Sequence, residues 1–252
     1  KKTYMLMENL ATLTTAVRPS TRLSNVQEYY FSRKLKEVAR LNAEGRDIIS
    51  LAIGSPDMPP SRRTVERLCE VASQPEAHGY QPTMGTPELR QAMADFYARW
   101  YGVDVDAQTE VLPLIGSKEG ILHVTLAFVN PGEEVLVPNP GYPTYTSLSK
   151  ILGAKVVSYD LREDNAWQPD FDELESMDLS NVKLMWTNYP NMPTGGNAQR
   201  ETYERLVDFA LRHNIVVVND NPYSFILNEH PMSIMQVEGA RECCIEFNSM
   251  SK

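Results

Sequence analysis

The sequence predicts an α/β fold, a mainly parallel sheet with helices on both faces, and three observations carry that expectation. Short β-branched or apolar runs alternate with amphipathic stretches along most of the 252 residues. One run, Ile215-Val216-Val217-Val218, has the make-up of a buried strand and ends on Asn219-Asp220. The polar and glycine-containing motifs stand just after predicted strands, where open α/β sheets bind their ligands.

Taken in order, residues 27–44 place Tyr30, Phe31, Leu35, Val38, Ala39 and Leu41 at roughly helical spacing, and Gly45 ends the pattern. Ile48-Ile49-Ser50-Leu51-Ala52-Ile53 reads as a strand closed by the turn Gly54-Ser55-Pro56-Asp57. Helices follow near 61–73 and near 86–101, the second entered through Thr86-Pro87-Glu88. A strand is expected near 110–115, a helix near 117–129, a strand near 134–138, a helix near 143–151 and a strand near 154–159. Val182 to Thr187 then reads as a strand, 199–213 as a helix, Ile215 to Val218 as the buried strand, and 243–247 as the last strand. There is no internal repeat and no low-complexity tract.

Composition narrows the function classes. A hydrophobic content of 42% supports a large core in one domain or two. A net charge of −9 argues against a nucleic-acid partner, so any anionic ligand has to be held locally. No run is long and apolar enough to cross a bilayer, and Glu8 interrupts the start before a signal-like stretch develops, so no membrane role and a cytoplasmic location are expected. Cys69 stands alone and Cys243 and Cys244 are adjacent, which is neither a disulfide framework nor a metal-ligand spacing. His78, His123, His213 and His230 are scattered, and no metal site is expected.

The chemistry lies in a few motifs. Gly116-Ser117-Lys118-Glu119-Gly120 follows an apolar run and opens a helix, so backbone N–H groups and the positive end of the dipole suit a phosphate. The Ser117 hydroxyl and the Lys118 ammonium could add to it, although Gly-Ser before a helix is also an ordinary cap, and the Walker spacing is absent. Asp220 ends a Val-rich strand, where a carboxylate is costly unless a cation such as a protonated ring nitrogen meets it. Tyr223 follows three positions later, within reach of a ring's phenolic oxygen. Tyr142, in Pro140-Gly141-Tyr142-Pro143, offers a flat face for a ring, with core packing an equal contender. Asn248-Ser249-Met250-Ser251-Lys252 puts an amine at a strand end, where it can form a Schiff base with an aldehyde cofactor.

These elements, in this order and over nearly the whole chain, resemble the pyridoxal 5′-phosphate (PLP)-dependent aminotransferases of classes I and II, of fold type I. The run Leu51-Ala52-Ile53-Gly54-Ser55-Pro56-Asp57 with its preceding helix is similar to the diaminopimelate-type and related broad amino-acid aminotransferases. The resemblance implies that Ser117, Lys118 and Ser249 bind the phosphate, Tyr142 stacks on the ring, Asp220 pairs with the ring nitrogen, Tyr223 meets the ring oxygen, and Lys252 is the Schiff-base residue. It implies that Tyr80 reaches the phosphate of a partner subunit, making a homodimer, and that Gly54 lies near the substrate carboxylate. The implied activity is amino-group transfer from an amino acid to a 2-keto acid in ping-pong halves.

Two departures stand out. The family reads Asn-Pro-Thr-Gly, its Asn donating to the ring oxygen, where this chain has Met192-Pro193-Thr194-Gly195; Asn191 or Asn188 is left to substitute, Asn191 being the one carried forward. Family members also continue past the Schiff-base Lys with an Arg on the phosphate and a small C-terminal domain. Residues 1–47 are therefore expected to be an N-terminal arm and helix of an incomplete small domain, and 48–252 the PLP-binding large domain, truncated at Lys252. A fold-type I β-lyase or decarboxylase would share the cofactor residues. A non-catalytic aminotransferase-like binding domain is opposed by the presence of both Asp220 and Lys252.

Overall fold

The computed structural model describes residues 18–24, 26, 30–51, 54 and 56–252. The chain divides into two compact units, Lys1–Pro56 and Asp57–Lys252. In the first, helix α1 (Tyr30–Ala43) occupies most of the stretch expected to be helical; Gln27, Glu28 and Tyr29 lie outside the described residues. The strand expected from Ile48 is not formed over Ile48 to Leu51, and Ala52 and Ile53 lie outside the described residues. The reason is local. The Asn42 amide donates to the Ile48 carbonyl at 3.0 Å and its oxygen accepts from the Ile48 N–H, occupying the two groups a ladder would use.

The second unit is built on five strands, β1 (Glu134–Asn139), β2 (Lys155–Asp160), β3 (Val182–Asn188), β4 (Val216–Asn221) and β5 (Cys244–Asn248). Their order is β2-β1-β3-β4-β5 and every pairing is parallel. The helices of this unit are α2 (Arg62–Ala72), α3 (Pro87–Tyr101), α4 (Ser117–Phe128), α5 (Pro143–Ile151), α6 (Phe171–Ser176), α7 (Arg200–His213) and α8 (Ala240–Cys243). The short α6 and α8 carry too few turns to give a periodic signal in sequence.

The side-chain alternation of the strands sorts the core into two layers. Val135, Val137, Leu184, Trp186, Val218 and Phe247 face Ile121 of α4 and Tyr145 of α5. Leu136, Met185, Val217 and Cys244 face the other way, onto Phe171 and Leu174 of α6 and Leu206, Phe209 and Ala210 of α7. Helices therefore cover both faces, as the near-continuous apolar composition of these parallel strands requires.

The strand expected near 110–115 is not formed. Pro113 has no N–H to give to a ladder, and the Ile115 N–H is taken by the Glu119 carboxylate at 2.7 Å. This stretch instead leads irregularly into α4. There Gly120 allows close approach: a Cβ at that position would stand 2.6 Å from Leu114 Cδ1 and 2.8 Å from Phe247 Cζ. The start of α4 is thereby seated against the end of β5.

Candidate active site

Most of the sequence-predicted residues stand at or just after the carboxyl ends of the strands. Tyr142 follows β1, Asn191 follows β3, Asp220 closes β4 and Ser249 and Lys252 follow β5. The strand order reverses between β1 and β3, the position at which open α/β sheets form their binding crevice.

Asp220 is 4% exposed and sits opposite Asn188 on β3 and Phe247 on β5. Its side chain falls on the α4/α5 side of the sheet, in phase with Val218. The hydroxyl of Tyr145, from α5, donates to its Oδ2 at 2.7 Å. Tyr145 is itself fixed by stacking on Trp186, with ring centroids 4.9 Å apart and planes 5° from parallel. Burial raises the Asp220 carboxyl from 3.8 to about 6; the Tyr145 hydrogen bond pulls it down, and the Glu246 charge pushes it further up. The Trp186 indole N–H is buried with no hydrogen-bond partner among the described residues.

The two asparagines left open by the sequence have different duties. Asn188 bridges two backbone groups: its amide donates to the Asp220 carbonyl at 2.6 Å and its oxygen accepts from the Met192 N–H at 2.7 Å. It locks the β3 loop to the end of β4. The Asn191 oxygen accepts from the Thr194 hydroxyl at 2.8 Å, while its Nδ2 is buried with no hydrogen-bond partner among the described residues. An orphaned buried donor is costly unless an acceptor arrives. Met192 is half-buried and contributes no donor of its own.

Tyr223 is half-buried, and its hydroxyl is held above the usual range first by burial, then by the Asp220 charge and by Tyr142. Asp220 and Tyr142 thus both lie within electrostatic reach of Tyr223. The Lys252 ammonium stands 5.7 Å from the centre of the Tyr223 ring, which brings the terminal amine to the same end of the sheet. Tyr142 is half-buried and meets Tyr145 edge-on at 5.5 Å. Ser249 accepts the Ser251 N–H at 3.1 Å, a turn that shapes the approach to Lys252. Gly116 precedes α4 with no side-chain cap, so Ser117 and Lys118 head a helix whose first N–H groups have no intrahelical acceptor. Tyr80, 96% exposed, makes no part of this cluster. Gly54 belongs to the other compact unit.

Tyr145, Trp186 and Glu246 were not singled out from the sequence. Tyr145 follows Tyr142 by three residues, a spacing that puts it on the same helical face, and this was the one available signal. Glu246, on β5, points to the opposite face from Asp220 and receives Tyr97, Ser233, Asn219 and the Ile234 N–H at 2.6–3.1 Å. Among the described residues no group of three His, Cys, Asp or Glu side chains could hold a metal, and no helix is long and apolar enough to cross a membrane.

Comparison with known proteins follows the same lines. The chain is 43% identical over 235 residues to an LL-diaminopimelate aminotransferase of Dehalococcoides mccartyi, covering 92% of this chain and 61% of the relative. It is 42% identical to the enzyme of the same name from Aquifex aeolicus, with the same coverage. Among solved structures it superposes on BacF from Bacillus subtilis with a TM-score of 0.88 and 37% identity, covering 94% of this chain and 61% of that one. An alanine aminotransferase from Pyrococcus furiosus gives a TM-score of 0.83 and 30% identity, covering 93% and 60%. The chain thus spans about three-fifths of the length of the relatives it matches. The sequence profile of aminotransferase class I and II matches residues 46–252, and with the parallel sheet and the cluster at its carboxyl edge the chain belongs to that family of PLP-dependent enzymes.

Proposed function

We propose that the whole protein transfers an amino group from an amino acid to a 2-keto acid with PLP, and that residues 48–252 form its cofactor-binding part. The observation that carries this reading is Asp220, a buried carboxylate at the carboxyl end of β4 with one hydrogen-bond donor among the described residues. Such a group is stabilised by a cation, and a protonated ring nitrogen is one.

The residues present fit the cofactor. Asp220 would hold the ring nitrogen, and the orphaned Asn191 Nδ2, with Tyr223, would meet the ring oxygen. Tyr142 would cover the ring. Ser117, Lys118 and Ser249 would hold the phosphate, with the first turn of α4 supplying N–H groups and the positive end of its dipole. When bound, PLP supplies an electron sink for the pair released as the substrate Cα–H bond breaks.

The rest of the reading concerns this chain's own groups. Lys252 Nζ would hold the cofactor through its aldehyde carbon and, once freed, would be the base that carries the proton away from the substrate Cα. The negative charge of Asp220 would keep the ring nitrogen protonated, and Tyr145, by donating to Asp220, favours the charged form of that carboxyl. The exposure of Tyr80 suits a side chain that acts on a partner subunit, and we place the enzyme in the cytoplasm as a homodimer. Gly54 would lie by the substrate carboxylate.

The test is a single half-reaction. The intact protein, loaded with PLP and freed of excess, is mixed with an amino-acid panel headed by LL-diaminopimelate, the substrate in the names of the relatives, with no keto acid present. One keto acid released per protein, followed by arrest until a second keto acid is added, is expected. Continuous release of ammonia or carbon dioxide would overturn transfer in favour of lyase or decarboxylase chemistry.

A further inference from the structure

We propose that Cys243 and Cys244 form a dithiol site for a monosubstituted trivalent arsenical, a soft three-coordinate centre that needs two protein sulfurs and brings its third substituent with it. The two Sγ atoms are 3.7 Å apart at the junction of α8 and β5. Cys243 is half-buried and Cys244 is 9% exposed, so a reagent meets Cys243 first and Cys244 directly behind it. Cys243 Sγ stands 3.9 Å from the carbonyl of Val207 on α7 and 3.8 Å from that of Gly239, and Cys244 belongs to the apolar layer that Val207 and Ala240 share, with Cys243 packed against it, which suits a hydrocarbon substituent better than a hydrated ion.

The spacing discriminates between ligands. A soft centre bonded to each sulfur at about 2.3 Å with a near-tetrahedral angle holds the sulfurs roughly 3.8 Å apart. The observed pair is already there, and a pyramidal arsenic draws it in by only a few tenths of an ångström. A disulfide would require closing from 3.7 Å to about 2.05 Å, between Cα atoms about 3.8 Å apart where natural disulfides span roughly 4.4–6.8 Å. A zinc ion would require further ligands, and among the described residues no group of three His, Cys, Asp or Glu side chains is available. The Cys244 thiol, by hydrogen bonding, holds the Cys243 thiol below its usual range, which supplies the nucleophile for the first bond.

The step balances without an oxidant. An organoarsenic oxide, R–As=O, meets two S–H groups; two As–S bonds form, the oxygen leaves as water with both thiol protons, and arsenic stays trivalent.

The experiment uses the intact protein and phenylarsine oxide, read by native mass spectrometry. One arsenical per chain is expected, retained through a wash with excess 2-mercaptoethanol and removed by 2,3-dimercaptopropanol. Cys243→Ser and Cys244→Ser should each lose the wash-resistant adduct, while Cys69→Ser, at an exposed single thiol, should keep it. A wild-type adduct that the monothiol removes would overturn the proposal, as would one that survives in both Cys243→Ser and Cys244→Ser. A folded circular-dichroism spectrum for the two variants separates loss of the site from loss of the fold.

Discussion

Two carboxylates on neighbouring strands, Asp220 on β4 and Glu246 on β5, are enclosed in the same sheet and treated in opposite ways. Glu246 faces the α6/α7 side and receives four donors: Tyr97, Ser233, Asn219 and the Ile234 N–H. Asp220 faces the α4/α5 side and receives one described donor, Tyr145. Both carboxyls are raised by burial, but for Glu246 the donors pull back from every side, whereas for Asp220 a single hydrogen bond opposes burial and the charge of Glu246. A carboxylate that the fold has satisfied is a structural part. One that the fold has enclosed and left short of donors is a group that a cation would stabilise, and that asymmetry is what distinguishes Asp220 from Glu246.

The comparison can be broken or sharpened by substitution. The largest effect belongs to Lys252→Ala in the intact protein: amino transfer should fall by at least ~10²-fold while PLP still binds without a covalent link, checked by borohydride failing to fix the cofactor.

Asp220→Asn follows, with opposite effects on activity and stability. Transfer should fall by roughly 10²-fold as the ring nitrogen loses its partner. Stability of the cofactor-free protein should rise. The folded carboxyl titrates near 6 against an ordinary 3.8, so between those values the native state binds more protons than the unfolded chain. Stability therefore falls as pH rises through that window, by about 3 kcal/mol in all. Urea melts should show the Asn variant ahead by up to about 3 kcal/mol near pH 7.5 and level with wild type near pH 3. A variant that is no more stable at the higher pH would refute the view that Asp220 is strained without its cation.

Glu246→Gln should do the reverse. An amide turned toward four donors leaves buried groups unpaired, costing roughly 2–4 kcal/mol in a urea melt, with PLP affinity changed far less than in Asp220→Asn. The smallest effect is that of Tyr145→Phe. Removing the one described donor to Asp220 should cost about 1–2 kcal/mol near neutral pH, and should weaken PLP binding several-fold in a fluorescence titration. Equal behaviour of the Glu246 and Asp220 variants in PLP binding would erase the distinction between the two carboxylates.

How far these features were legible follows from their range in sequence. The strands β1 to β5 were readable because their apolar runs are local, and helices α2, α3, α4 and α7 because their periodicity and ends are local, as with Thr86 accepting the Leu89 N–H before Pro87. The strands expected at 48–53 and 110–115 had the right composition, but a strand exists only through its partner. Asn42 took up the backbone of Ile48, and Pro113 with Glu119 closed the other stretch to a ladder. Asp220 was visible as a carboxylate ending a Val-rich run. Glu246 and Tyr145 were not, since neither lies in a motif and each acquires its meaning from residues 12 to 149 positions away.

What the sequence by itself determined is the order of strands and helices and the placing of reactive side chains after strands, because periodicity and turn chemistry act over a few residues. What only the tertiary structure decided is which polar side chains are spent and which are left over. Asn188 bridges the Asp220 carbonyl and the Met192 N–H, Asn191 keeps an unused donor, and Asp220 is left with one donor while Glu246 has four. Hydrogen-bond satisfaction is settled by groups that meet across the sheet, and register and face, which fix those meetings, are properties of the packed chain.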